Sequence, residues 1–297
     1  MLKATDRKVG LNLTLSRRMS ELVSGHQEDD SPETRSGQVW SPTSVFRFIL
    51  LKIVIPILVL ILLWFLIAEI ARSSLIEVVD AFVRLVTEGD SEGYFLIDHI
   101  SLSLFRVVIG FAFAIITAVP MGIAIGRYRI FDAILSPVVE AMRPIPPIAW
   151  IPLAILMFSR NLLGAQVFII WVGAFFPILI NTTTGVKRTE PVHIDVAKTF
   201  GAGEIQILRK IVIPSAGPEI FAGLRIGFGI GWMCLVAAEM IGGGLGLGYL
   251  IWIMWQVGRT GAVIISMFMI GLIGFLVSYF FLFIEKRLLK WRQTVSV

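Results

Sequence analysis

The chain has 297 residues, of which 56% are hydrophobic and only 16% charged, with a mean hydropathy of +0.84. A water-soluble domain of this length carries more charge, so the composition specifies an integral membrane protein. The net charge of +5 comes without a basic patch interleaved with aromatics, which excludes nucleic acid as the natural partner and points to membrane orientation, while the single cysteine, Cys234, excludes an internal disulfide.

Residues 1–44 are polar, with six Lys/Arg, six Asp/Glu and an acidic run at Glu28, Asp29 and Asp30. They read as a solvated tail, too long and polar for the start of a cleaved signal peptide. Leu11, Leu15, Met19 and Leu22 could line a short interfacial helix beside Arg17 and Arg18; disorder is the other reading. A bilayer core about 30 Å thick needs roughly 20 apolar residues per helix. Six stretches qualify, near residues 49–71, 101–125, 131–158, 163–185, 214–240 and 262–284. The fold class is therefore an all-α integral membrane protein with about six transmembrane helices. Residues 45–90 hold the first span and an extracytoplasmic connection, 91–290 a core of five spans, and 291–297 a short tail.

Lys and Arg alternate between the connections. Arg127 and Arg129 follow the second span, Lys187, Arg188, Lys198, Arg209 and Lys210 the fourth, and Lys286, Arg287, Lys290 and Arg292 the sixth. The intervening connections are poorer in basic residues, so the positive-inside rule places both termini and the loop 187–213 in the cytoplasm.

The third span contains Arg143-Pro-Ile-Pro-Pro-Ile-Ala-Trp-Ile-Pro152, whose prolines at 144, 146, 147 and 152 remove amide donors. Broken backbone at membrane depth belongs where protein or a watery cavity receives it, and such interruptions mark permeation sites. Arg143 is read as the cation near mid-span, either functional or paired with Glu140 one turn away. In the fifth span Gly223, Gly227 and Gly231 recur every fourth residue, a stripe for close helix packing within the chain or across a dimer. Beyond Glu239, glycines at 242, 243, 244, 246 and 248 must bend the chain before a Trp-rich interfacial helix. Glu239 either gates a pathway or caps nearby amides, the structural role being preferred. No catalytic group emerges: His26, His99 and His193 lie far apart, no metal cluster is spaced for binding, and no phosphate-binding glycine loop with its lysine occurs.

The loop 187–213 is a charged, amphipathic island. Val192, Val196 and Phe200 recur at four-residue spacing, and Ile205, Leu208 and Val212 repeat at helical spacing. Gly201 and Gly203 divide the two halves; a glycine after Phe200 lets a helix stop in a left-handed residue, and Pro214, lacking an amide, is expected to end the second piece. The pattern predicts two short helices at an angle, although a surface loop with two amphipathic turns has the same periodicity.

Asp195, Val196 and Ala197, then Gly201 three residues on, Ile211 nine further and a closing Ile213-Pro214, resemble the EAA loop of the permease subunits of bacterial and archaeal ABC importers. Asp for Glu, Val for Ala and Ile for Leu depart from that pattern while keeping its charge or apolar character. The likeness runs over residues 90–290. Arg143–Pro152, Phe-Phe-Pro-Ile-Leu-Ile-Asn-Thr (175–182), Gly223–Gly227 and Ala-Ala-Glu-Met-Ile (237–241) resemble the nitrate, sulfonate, taurine and bicarbonate branch. The resemblance implies a type I importer permease fold in a plasma (inner) membrane. Its coupling helix, involving Asp195, Val196, Ala197, Phe200, Gly201, Ala202, Ile211 and Pro214, would dock on an ATPase. It further implies two ATPase subunits, a second permease copy forming a homodimer, and a periplasmic or lipid-anchored substrate-binding protein. ATP and Mg would be bound by the ATPase, leaving this chain without a cofactor. Arg143, Pro146, Pro147, Trp150, Asn181 and Glu239 are expected along the translocation pathway, with Arg143 attracting an anion. The alternative is an ion-coupled secondary transporter, which needs a mid-depth ion site and repeated halves; neither is visible in the sequence.

Overall fold

The computed structural model describes residues 74–159 and 161–288, with Ile55, Leu58 and Leu62 as isolated helical positions. The tails 1–44 and 291–297 and the span near 49–71 lie outside the described residues. Those three isolated positions belong to a separate unit, Met1–Leu66, and the account below concerns the second, Ile67–Val297.

Among the described residues all regular structure is helical. Helix α1, Leu75–Thr87, starts at a capping box in which the Glu77 amide donates to Ser74 Oγ at 3.2 Å and the Ser74 amide to Glu77 Oε2 at 3.3 Å. Helix α2, Leu96–Arg127, has 32 residues, a length of about 48 Å at 1.5 Å per residue, so it reaches beyond the hydrocarbon core. Helix α3, Arg129–Met142, is bent by 87° from the run Pro147–Met157, a 3-10 turn at Pro147–Trp150 continued by helix α4, Ile151–Met157. The bend falls on the proline cluster, where missing amides prevent one continuous ladder. Helix α5, Leu162–Lys187, is capped by Asn161, whose side-chain oxygen accepts the Gly164 amide at 3.0 Å.

Two short helices follow, α6, Pro191–Thr199, and α7, Glu204–Ile207, the second running through a π-helical turn, Leu208–Val212, into α8, Ile213–Gly242. Helices α9, Leu247–Gln256, and α10, Thr260–Leu288, complete the described chain. Four runs are long and apolar enough to cross a membrane, Leu96–Arg127, Leu162–Lys187, Glu204–Gly242 and Thr260–Glu285, and the bent α3–α4 pair is a fifth candidate. These correspond to the five expected spans after residue 91.

Helix α5 sits between α2 and α8, and small residues set both distances. A Cβ on Gly110, Gly122 or Gly126 of α2 would come within 2.6–2.7 Å of Ile170, Thr182 or Val186 on α5. On the other side, Cβ atoms at Gly223 and Gly227 of α8 would come within 2.7 Å of Asn181 and 2.8 Å of Ile178, whereas at Gly231 the nearest atom would be 3.4 Å away. The stripe at 223, 227 and 231 thus makes its close approach within the chain, where contact between backbones replaces the hydrophobic drive that lipid withholds. Phe111, Phe228 and Phe281, with centroids 5.6–5.7 Å apart, tie α2, α8 and α10 together.

Pro214 does not end the second cytosolic piece as its missing amide suggested. The preceding turn widens, with the Ile213 amide reaching the Leu208 carbonyl, and Pro214 enters the first turn of α8. The widened turn accommodates the proline inside the run, so the rod continues from Glu204 to Gly242.

Candidate functional site

The segment between α5 and α8 folds from local signals. Helix α6 ends at Phe200 and Gly201 takes φ +79°. The Gly201 amide donates to the Lys198 carbonyl at 2.9 Å and the Ala202 amide to the Ala197 carbonyl at 3.0 Å. This double bond pattern satisfies carbonyls that the last helical turn leaves free, and it needs a residue without a Cβ penalty at position 201. A Cβ there would meet nothing within 4 Å, so conformation alone, not space, selects the glycine.

The two faces of the segment differ. Ile194, Ala197, Ala202 and Leu208 pack inward on a core of Val186, Ile207, Val212 and Ala216. Val192, Val196, Phe200 and Ile205 point outward, with Phe200 86% and Ile205 73% exposed. The expected repeat of Ile205, Leu208 and Val212 is therefore split: Val212 is buried, Leu208 partly buried and Ile205 exposed, because the π turn rotates the residues beyond Ile207 relative to α7. Beside the ridge, His193, Val196, Ala197, Lys210, Ile211, Pro214 and Ser215 line an open depression of about 470 Å³. Asp195 is exposed on α6.

Ion pairs anchor this end to the spans. Arg127 at the end of α2 donates to Glu204 at 2.6 Å, Lys187 at the end of α5 to Asp132 of α3 at 2.8 Å, and Arg188 to Glu219 of α8 at 3.2 Å. All are at least partly exposed, so each adds little stability by itself. Together they join the ends of α2, α3, α5 and α8 around the bent segment.

The residues expected along a pathway do not gather in one place. Arg143 is exposed and only 3.5 Å from Glu140, the i,i+3 partner anticipated for it. Pro146 and Pro147 form the corner before α4, and Trp150 packs on the cluster of Ile151, Ala154, Ala165 and Ile169. Asn181 donates to the Pro177 carbonyl one turn back at 2.8 Å and meets Gly223. Glu239 lies at the opposite end of α8, fully buried. Its Oε1 accepts from Arg106 Nη1 and Ser103 Oγ, both at 2.8 Å, and its Oε2 from the Gly248 amide at 2.9 Å.

Around that carboxylate the glycine loop is held from several sides. Arg106 also donates to the Leu245 carbonyl at 2.5 Å, Ser103 Oγ accepts the Leu247 amide at 3.0 Å, and Gln166 donates to the Gly243 carbonyl at 3.2 Å. His99 places Nε2 3.1 Å from Asp90, and Nδ1 2.9 Å from the Gly246 carbonyl and 3.2 Å from the Gly246 amide, so the ring joins Asp90 to the glycine loop. A Cβ at Gly246 would strike the Glu239 carboxylate, and one at Gly248 the Val236 carbonyl. The loop is a cap built around a buried ion pair.

Residues 118–290, more than half of the chain, match the family described as the binding-protein-dependent transport system inner membrane component. The chain belongs to that family. It is 40% identical over 252 residues to an ABC transporter permease protein of Methanocaldococcus jannaschii, covering 84% of this chain and 94% of that one. It is 33% identical over 225 residues to the nitrate import permease protein NrtB of Leptolyngbya laminosa (76% and 79% covered), and 33% over 216 residues to the taurine transport system permease protein TauC of Escherichia coli (72% and 78%). Among solved structures, the MetNI methionine ABC transporter in an inward-facing conformation aligns with a TM-score of 0.53 at 22% identity, covering 66% of this chain and 94% of that one; at that identity the likeness concerns the fold. The chain is thus a multi-pass membrane protein and the permease component of an ABC importer.

Within this permease, the sequence reading missed two features. Arg106, 5% exposed inside α2, is a cation within a span and a far more buried one than Arg143, which caps the end of α3. Its partner is 133 residues away, beyond any periodicity signal. Helix α1 was read as plain connection, although Ser74-Leu-Ile-Glu77 carries the capping-box signature.

Proposed function

We propose that this permease carries a small anion of the nitrate, taurine or bicarbonate type, and that the segment from Pro191 to Val212 is the part on which a separate ATPase acts. The observation that supports this most is the exposed ridge of Val192, Val196, Phe200 and Ile205, flanked by the depression at His193 and Lys210 and tied to the end of α2 by the Arg127–Glu204 ion pair. Apolar side chains held outward by a stiff helix suit insertion into a partner's groove, and a stiff contact can transmit displacement. Because α7 is continuous with α8, a push on Ile205 or Glu204 acts directly on a membrane-spanning rod. Asp195, Val196, Ala197, Phe200, Gly201, Ala202, Ile211 and Pro214 are assigned to this docking region.

ATP and Mg are assigned to the ATPase, in two copies, with a second permease copy as homodimer partner and a substrate-binding protein outside. The Lys/Arg-rich end at Arg127, Lys187, Arg188 and Lys210 then faces the cytoplasm, as the positive-inside rule prefers. Arg143 lends positive potential to the pathway. Isolation of the chain from its native membrane, with uptake measured in proteoliposomes, tests the reading. Co-isolation of an ATPase and ATP-dependent uptake of nitrate, taurine or bicarbonate are expected. Full uptake by the chain alone, without ATP, would overturn it, and normal uptake by Arg143→Ala would remove the role given to Arg143.

A further inference from the structure

Helix α1 divides into three faces. Val78 and Leu85 are buried, at 4% and 3% exposure, and a Cβ on Gly261, in the first turn of α10, would lie 2.7 Å from the Glu77 carbonyl. One side of α1 is therefore pinned to the end of a membrane-spanning helix. On a second side, Ile76, Val79, Val83 and Val86 are 80%, 56%, 49% and 49% exposed, and their spacing of three, four and three puts them in one row. On the third side Glu77, Asp80 and Arg84 border an open cavity of about 340 Å³, completed by Arg259 and Thr260. Asp80 and Arg84 pair at 3.0 Å on that side.

We propose that α1 is seated in the boundary between lipid headgroups and acyl chains, with the row Ile76, Val79, Val83 and Val86 against acyl chains and Asp80 and Arg84 in water. A helix that shows aliphatic residues to one side and charges to another is matched by the one environment that offers both solvents at once. Its level along the bilayer normal fits, since Gly261 opens the span Thr260–Glu285. Helix α9, which packs on α10, carries Trp252 and Trp255, 38% and 62% exposed and in contact with each other, and exposed Trp collects at the membrane interface. A single row on 13 residues also falls well short of the roughly 800 Å² per partner that a stable protein interface takes.

The test uses the assembled transporter in lipid nanodiscs, with one cysteine introduced at a time as Val79→Cys, Val83→Cys, Asp80→Cys or Arg84→Cys. The native Cys234 is buried and serves as the labelling background. Nitroxides at 79 and 83 are expected to collide several-fold more with oxygen, which concentrates in lipid, than with a water-soluble nickel chelate, and those at 80 and 84 to show the reverse. Labels at 79 and 83 shielded from both reagents would mean that protein, a second copy or another subunit, covers the row, and nickel preference would mean water; either overturns the proposal. Bimane on the same cysteines gives a second reading: quenching by acyl-brominated lipid at 79 and 83 but not at 80 and 84 supports it, and equal quenching at all four positions overturns it.

Discussion

The two ends of α8 treat polar and apolar groups in opposite ways. At the glycine-loop end, Glu239, Arg106, Ser103 and His99 are buried and bonded to one another, to Asp90 and to the loop backbone, with Arg106 Nε left over. At the other end, Val196, Phe200 and Ile205 are apolar and left in the open. A buried polar network held mainly by its own members is costly to disturb. An apolar ridge held outward is incomplete until something covers it. The first arrangement builds the permease; the second is the surface proposed above for the ATPase. Substitutions at the first end should therefore be felt as lost stability, and those at the second as lost assembly.

The largest effect is expected from Glu239→Ala. It leaves the Arg106 charge buried without its partner, a loss of about 3–5 kcal/mol, seen as a much lower thermal midpoint of the purified permease. The double variant Arg106→Met with Glu239→Leu should recover only part of that loss, since it avoids the desolvation of both charges but leaves the Gly248 amide and the Leu245 carbonyl without their side-chain partners. Failure of the double variant to recover would show that the loop depends on the charges for more than mutual neutralisation.

Next in size is the helix crossing between the two ends. Gly227→Ala forces a methyl to within 2.8 Å of Ile178 and 2.9 Å of the Ala174 carbonyl, and overpacking of this kind costs about 1–3 kcal/mol. Gly231→Ala, with 3.4 Å to its nearest neighbour, is the matched control and should be close to neutral in the same thermal melt. Equal effects at 227 and 231 would contradict the packing described for α5 and α8.

At the bent segment Gly201→Val meets no clash within 4 Å but must hold φ near +79°, a strain of about 1–2 kcal/mol for a residue with a Cβ. The expected outcome is a small thermal shift with a larger fall in ATPase co-isolation, because the angle between α6 and α7 sets the position of Phe200 against Ile205. Smallest for the permease itself is the pair Val196→Ser with Phe200→Ser, whose exposed side chains leave stability within about 0.5 kcal/mol. That variant should nonetheless lose the co-isolated ATPase; an unchanged complex would break the contrast between the two ends.

Local rules made some of these features legible before any tertiary contact was known. The glycine at 201 follows from the needs of a helix end, and the bend between α3 and α4 from prolines that lack amides. The same rule misjudged Pro214, since a missing amide stops a helix only where the regular ladder must continue, and the π turn at Leu208–Val212 shifts that ladder just before the proline. Helix α1 was legible in principle, through Ser74 and Glu77, but its short apolar rows fall below the length that marks a span.

The sequence by itself determined the all-helical membrane class, the five spans after residue 91 and the amphipathic segment between the fourth and fifth expected spans. Hydropathy length, helix-ending glycine and proline chemistry all act over a few neighbouring residues. Only the tertiary structure decided that Arg106 meets Glu239, that the glycines at 223 and 227 face α5 in the same chain, and which of the segment's apolar residues remain exposed. Those outcomes depend on which surfaces are brought together across as many as 133 positions, and no local periodicity carries that distance.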